Sequence, residues 1–196
     1  MPNHFTFKIR LNIKIIQFIF KNILYIFLKH VTFEMWQTNT GERKKTVMHY
    51  KVETLPNYRL AYVRRVGPYG PANVDVMEKL KKWARERNLL ESAILFAIPR
   101  DNPETTPPEN CRFDACIVIS KDDQMDGSIY EGELSGGTYL IYKVRHTAED
   151  IQKGYADIFS SLQSTGYQID HKPILEKYTG DMKSNPYCEI CVPVKS

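Results

Sequence analysis

Three carboxylates fall in the chain where acidic side chains are least at home. Asp114 lies in RFDACIVI, Glu176 in PILEKY and Glu189 in YCEICVPV, runs dominated by Ile, Val, Cys and Tyr. Strand side chains alternate between faces. Glu189 therefore shares a face with Cys191 and Pro193, opposite Cys188, Ile190, Val192 and Val194. Asp114 likewise sits with Cys116 and Val118, and Glu176 with Ile174 and Tyr178. An ionised carboxylate in such surroundings must find a partner or have its pKa raised. Arg112, two residues before Asp114 and on its face, is an obvious partner, whereas Glu189 has no basic residue on its own strand before Lys195. An acid without a protein cation, beside aromatics, is what a pocket for a cationic or hydrogen-bond-donating ligand contains.

Aromatic surface for such a pocket is plentiful. The chain has twelve tyrosines, and their flat apolar faces with a polar edge suit planar amphipathic molecules. Tyr142, Tyr155 and Phe159 are candidate stacking surfaces, and Tyr69, following Gly67-Pro68, is expected to project from a turn. Other chemistries find no footing. Cys188 and Cys191, like Cys111 and Cys116, have an odd spacing that sends strand side chains to opposite faces, so neither pair bridges or shares a metal. Four thiols used as small apolar residues suit a reducing cytoplasm. His4, His30, His49, His146 and His171 form no zinc-binding cluster, and phosphate-loop, dinucleotide and G-x-S-x-G motifs do not occur. No metal or other cofactor is expected.

The elements that must position these residues alternate in a regular order. Residues 49–54 and 59–66 read as strands joined at Leu55-Pro56-Asn57. A helix opens at Pro71 and runs to about Arg87, with Val74, Met77, Leu80, Trp83 and Ala84 at helical spacing and Asn88 as its stop. Strands follow at 93–98 and 112–119, separated by the acidic, Pro-rich loop RDNPETTPPEN. The second half repeats the order. A strand at 138–145 leads into Thr147-Ala-Glu-Asp150, a capping-box-like start. Ile151, Tyr155, Ile158, Phe159 and Leu162 form that helix's apolar stripe and Gly166 suits its end, before strands at 173–178 and 187–194.

Laid on one another, the halves match. Val66, Met77 and Leu80 correspond to Val144, Tyr155 and Ile158 at an offset of 78, Ile94-Leu95 to Ile174-Leu175 at 80, and Asp114-Ala-Cys116 to Glu189-Ile-Cys191 at 75. The expected fold is α+β: two strand–helix–strand–strand units in pseudo-twofold relation, with a central ligand cleft where they meet.

Charge is unevenly spread. Residues 1–47 carry eight Lys or Arg against two Glu, a balance of +6, so the whole chain's 27 − 23 = +4 leaves residues 48–196 at 19 − 21 = −2. That part lacks the basic excess of a nucleic-acid binder, and no direct nucleic-acid partner is expected. Lys14, Gln17, Lys21 and Asn22 interrupt the apolar run of residues 5–33 before it is long enough to span a bilayer, and no clean signal-peptide cleavage site is present. Three readings of this extension stay open, one of them a structured role in the protein. Lys14, Lys21 and Lys29 at spacings of seven and eight fit an amphipathic helix on a membrane surface. Its Phe, Ile, Lys, Asn, Leu and Tyr content equally fits an upstream start in A/T-rich DNA, with Met48 as the natural beginning.

The turn RVGPYG, the helix end KKWARERN, the segment FAIPRDNPETTPPENCRFDACIVI, the strand GELSGGTYLIYKV and the closing PILEKY…CEICVPV resemble the GyrI-like small-molecule-binding domain over about residues 48–195. That family includes bacterial DNA gyrase inhibitory proteins and effector-binding domains of drug-sensing transcription factors. The resemblance implies an SHS2-type duplication with a cleft for lipophilic cations and other toxic molecules, centred on an acid of the last strand, which is matched here by Glu189. Residues 1–47 show no helix-turn-helix, so the chain is similar to stand-alone members.

The expected function is a cytoplasmic module that binds and sequesters planar, amphipathic, cationic small molecules. Glu189 supplies the counter-charge, Glu176 is second, and Tyr69, Tyr142, Tyr155, Phe159 and Asp114 complete the site. DNA gyrase is a partner that the resemblance implies. The alternative is a hydrolase of electrophilic, cyclopropane-type toxins, with Glu189 and Tyr155 as general base and acid.

Overall fold

Segments with apolar residues at alternate positions pair into one antiparallel sheet. The computed structural model describes residues 48–102, 105–162, 164–180 and 185–195; the extension over 1–47 lies outside the described residues. The chain runs through β1 (Lys51–Leu55), β2 (Tyr58–Val66), α1 (Asn73–Arg85), β3 (Ile94–Pro99) and β4 (Arg112–Val118). It continues through β5 (Tyr130–Leu134), β6 (Gly137–Arg145), α2 (Ala148–Leu162), β7 (Leu175–Thr179) and β8 (Tyr187–Pro193). The eight strands are ordered β1-β6-β8-β7-β3-β4-β2-β5. The architecture is α+β: a curled antiparallel sheet with two helices.

Both helices follow from local chemistry. In α1, Val76, Leu80, Trp83 and Ala84 turn inward, while Val74, expected in that stripe, faces solvent. Asn88 adopts a left-handed φ of 56° just past the helix, a conformation Asn tolerates better than branched residues. In α2, the Thr147 hydroxyl accepts the Asp150 amide at 3.1 Å and donates to its carboxylate at 2.8 Å, which closes the first turn. Among the described residues, no helix is long and apolar enough to cross a membrane.

β5 was not expected. Its sequence, YEGEL, alternates weakly and carries Gly132 at its centre, where Tyr62 of β2 lies over the bare Cα. It forms only because β2 offers a free edge for pairing from Tyr58 to Tyr62.

Sheet curvature follows from where the edges are buried. Leu55 of β1 and Leu134 of β5 belong to one buried cluster with Phe96, Ile98, Tyr139 and Leu175, on the face away from the helices. In a flat sheet those two edge strands would stand about 34 Å apart. The turn before β6 locks the closure. The Gly136 amide donates to Asn57 Oδ1 at 2.7 Å, and a Cβ on Gly136 would stand 2.3 Å from the Leu55 carbonyl oxygen. Gly136→Ala should therefore cost about 1–3 kcal/mol of stability, the range for overpacking a close contact. In a thermal melt this lowers Tm by roughly 2–4 °C per kcal/mol; an unchanged Tm would show that the two turns need no close approach.

Candidate functional site

The helices leave the middle of the sheet between them. α1 packs over β2 and β4, and α2 packs over β6, so β3, β7 and β8 form the floor of the space separating them. The register places Ala97, Glu176, Ile190 and Tyr142 in one row on the helix-facing side of that floor. Glu176 is therefore an acid in an apolar row.

Its partners are hydroxyls. Tyr178, two residues on along β7 and on the same face, donates to Glu176 Oε2 at 2.6 Å. Tyr155 reaches down from α2 and donates to Oε1 at 3.2 Å. Among the described residues no Lys, Arg or His pairs with Glu176. Burial raises its pKa above the ordinary carboxylate value, and the two hydroxyl donors offset only part of that rise. Burial and the nearby Glu176 charge push both tyrosines well above 10. The Phe159 ring lies parallel to Tyr155 one helical turn further along α2, at 6.5 Å and 3°. His146 meets Tyr178 edge-on at 4.8 Å, and burial followed by the Lys81 charge holds it below its usual pKa.

The other two strand acids are paired, on the opposite face of the sheet. Glu189, expected to lack an internal counter-ion, binds Lys177 at 3.0 Å and Lys51 at 3.1 Å. Lys177 is its direct cross-strand neighbour on β7 and only 8% exposed, and Lys51 comes from β1. Burial alone would raise the Glu189 pKa, but the hydrogen bonds from the two lysines outweigh it and hold the carboxyl below its usual value. Of the three acids, the one without a counter-ion among the described residues is thus Glu176 on β7. Strand alternation also separates Glu189 from Tyr155, whose hydroxyl serves Glu176, so the expected acid–base couple is not assembled.

Asp114 is an ion pair, as its surroundings require, but not with Arg112. The directly opposed Arg64 grips it through Nε and Nη2, each at 2.7 Å, and Arg100 adds Nε at 2.7 Å. Arg112 turns to Asp101 instead. Opposed residues on paired strands stand about 5 Å apart, closer than residues two apart on one strand, so the cross-strand partner wins.

Tyr69 does not project from its turn. It is buried, accepts the Asp101 amide at 3.0 Å and offers its proton to the carbonyls of Arg112 and Asp101. Tyr142 is buried two strands from Glu176, its ring 5.6 Å from Tyr50, and burial raises its hydroxyl to about 12. Tyr178 and His146 were absent from the expected site. The shared face of Glu176 and Tyr178 was the available signal for the first, whereas His146 arrives from a loop that only the fold places. Cys188 and Cys191 are buried in different clusters on the two faces, as their odd spacing predicts.

A Glu189→Gln variant should lose about 1–3 kcal/mol of stability, because the buried Lys177 keeps only Glu53 at 3.8 Å. Chemical denaturation measures that loss; unchanged stability would mean that the pair contributes nothing to the fold.

The model of the GyrI-like small molecule binding domain matches residues 48–195. SPbeta prophage-derived YosT of Bacillus subtilis (strain 168) is 36% identical over 149 residues, covering 76% of this chain and 100% of its own. A DNA gyrase inhibitor of Klebsiella pneumoniae (strain 342) is 27% identical over 154 residues, covering 76% of this chain and 98% of its own. Among solved structures, the EcmrR C-terminal domain superposes with a TM-score of 0.60 at 13% identity, over 77% of this chain and 99% of that one.

Proposed function

We propose a function from one premise: this chain belongs to the GyrI-like small molecule binding family. Within that family's role, the site between the helices takes planar, amphipathic cations and sequesters them. Glu176 is the counter-charge, with Tyr155, Tyr178 and Phe159 as the aromatic wall. One observation carries the reading: Glu176 is a half-buried carboxylate held by two hydroxyls, with no cation paired to it among the described residues. A lipophilic cation supplies the missing charge and covers the aromatic faces in one step. The order β6-β8-β7-β3-β4-β2, with a helix over each outer part, supports a site built at the junction of two related halves.

Glu176→Gln separates binding from stability. It keeps one acceptor oxygen, replaces the other with an amide that can donate to a tyrosine oxygen, and removes the charge. Affinity for N-methylacridinium, followed by fluorescence titration, should fall by ~1–3 kcal/mol. Affinity for acridine, at a pH where that analogue is neutral, should change little. The unliganded variant should be more stable at neutral pH. A carboxyl whose folded pKa is raised favours folding below its unfolded pKa, and that contribution is lost as pH rises through the folded value. In the wild-type protein, affinity for the cation should fall as pH drops through the raised Glu176 value, because the protonated acid offers no charge. Equal affinity of wild type and variant for the cation would remove Glu176 from the site.

The reading extends to DNA gyrase, since relatives carrying that inhibitor name align over nearly their whole length. Purified protein added to a supercoiling assay should then slow gyrase. An unaffected rate would leave ligand capture as the whole function.

A further inference from the structure

A second concentration of charge lies around Asp114, on the face of the sheet away from the helices. The Asp114 side chain is 0% exposed and is fully engaged by two guanidiniums. The neighbouring Arg112 and Asp101 pair at 2.6 Å. Three arginines and two aspartates leave 3 − 2 = +1 in this cluster. A single bidentate Arg64 already neutralises the buried carboxylate, so Arg100 is the surplus cation.

The surplus is presented to solvent. Arg100 spends only Nε on Asp114, so among the described residues neither of its terminal nitrogens has a hydrogen-bond partner, nor does Nη1 of Arg64. The two side chains are 24% and 30% exposed. Because Asp114 fixes both forks, an incoming anion meets donors already in place, and less side-chain freedom is lost on binding. Aromatic surface adjoins them. The Arg64 guanidinium lies 5.2 Å from the Tyr62 ring centroid. Tyr62 stacks on Tyr130 at 5.3 Å and 28°, and Tyr130, on the edge strand β5, is 60% exposed.

We propose that this face is a second ligand site, one that takes planar aromatic monoanions of the aryl carboxylate class. The carboxylate lies on the free guanidinium edges of Arg100 and Arg64, and the ring extends over the Tyr62–Tyr130 stack. Its charge preference is opposite to that of the cleft on the other face, so the protein presents a cation site and an anion site on the two sides of one sheet.

Isothermal titration of the full chain with naphthalene-2-carboxylate and with its neutral carboxamide tests the proposal. The carboxylate should bind saturably and at least about tenfold more tightly than the carboxamide, and added salt should weaken it. Arg100→Gln should remove about tenfold or more of that affinity while leaving Asp114 paired with Arg64. Tyr130→Ala, at an exposed edge position, should cost a few-fold. Glu176→Gln should leave carboxylate binding unchanged. Equal binding of acid and amide, or full carboxylate affinity in Arg100→Gln, would overturn the site and show the arginines to be a structural ion pair alone.

Discussion

A carboxylate kept in an apolar row of the sheet, with only tyrosine hydroxyls for partners among the described residues, is the constraint that organises the helix-facing side of this protein. Its burial opposes ionisation and therefore folding at neutral pH. The Tyr155 and Tyr178 hydroxyls offset part of that opposition by donating to the charged form. The arrangement needs α2 to bring Tyr155 down onto β7, and it places the apolar Ala97 and Ile190 directly opposite Glu176 on the neighbouring strands. The charge itself therefore opposes the apo fold, and its two hydroxyl partners offset only part of that cost.

The opposite face resolves the same problem in the other way. There two strand acids have a directly opposed base: Glu189 has Lys177, and Asp114 has Arg64. In each pair one member is buried, Asp114 or Lys177, and the other is partly exposed beside the apolar cluster of that face. The two faces therefore differ in electrostatic character although they share the same eight strands. The presence of a directly opposed base separates Glu189 and Asp114 from Glu176, the candidate ligand-binding acid.

Much of the fold was legible in advance. Both helices, seven strands and the opposed cysteines follow from periodicity and capping, which depend on neighbours within a few residues. β5 escaped because a short edge strand with a central glycine has little preference of its own and takes its conformation from β2. At the site, the aromatic character and the presence of an unpaired strand acid were legible, but not which acid it was. Seeking bases along a single strand made Glu189 look bare and made Arg112 look like the partner of Asp114.

The sequence alone determined where side chains point, because alternation along a strand and the turn of a helix are local geometry. That was enough to set Glu176 and Tyr178 on one face and to keep the thiols apart. Register and curl were settled only by the tertiary structure, because both depend on segments far apart along the chain. Those two features put Lys177 opposite Glu189 and Arg64 opposite Asp114, and left Glu176 between the helices. A charge's partner across a sheet stands about 5 Å away in space and, for Arg64 and Asp114, fifty residues away in sequence, so no reading of one strand contains it.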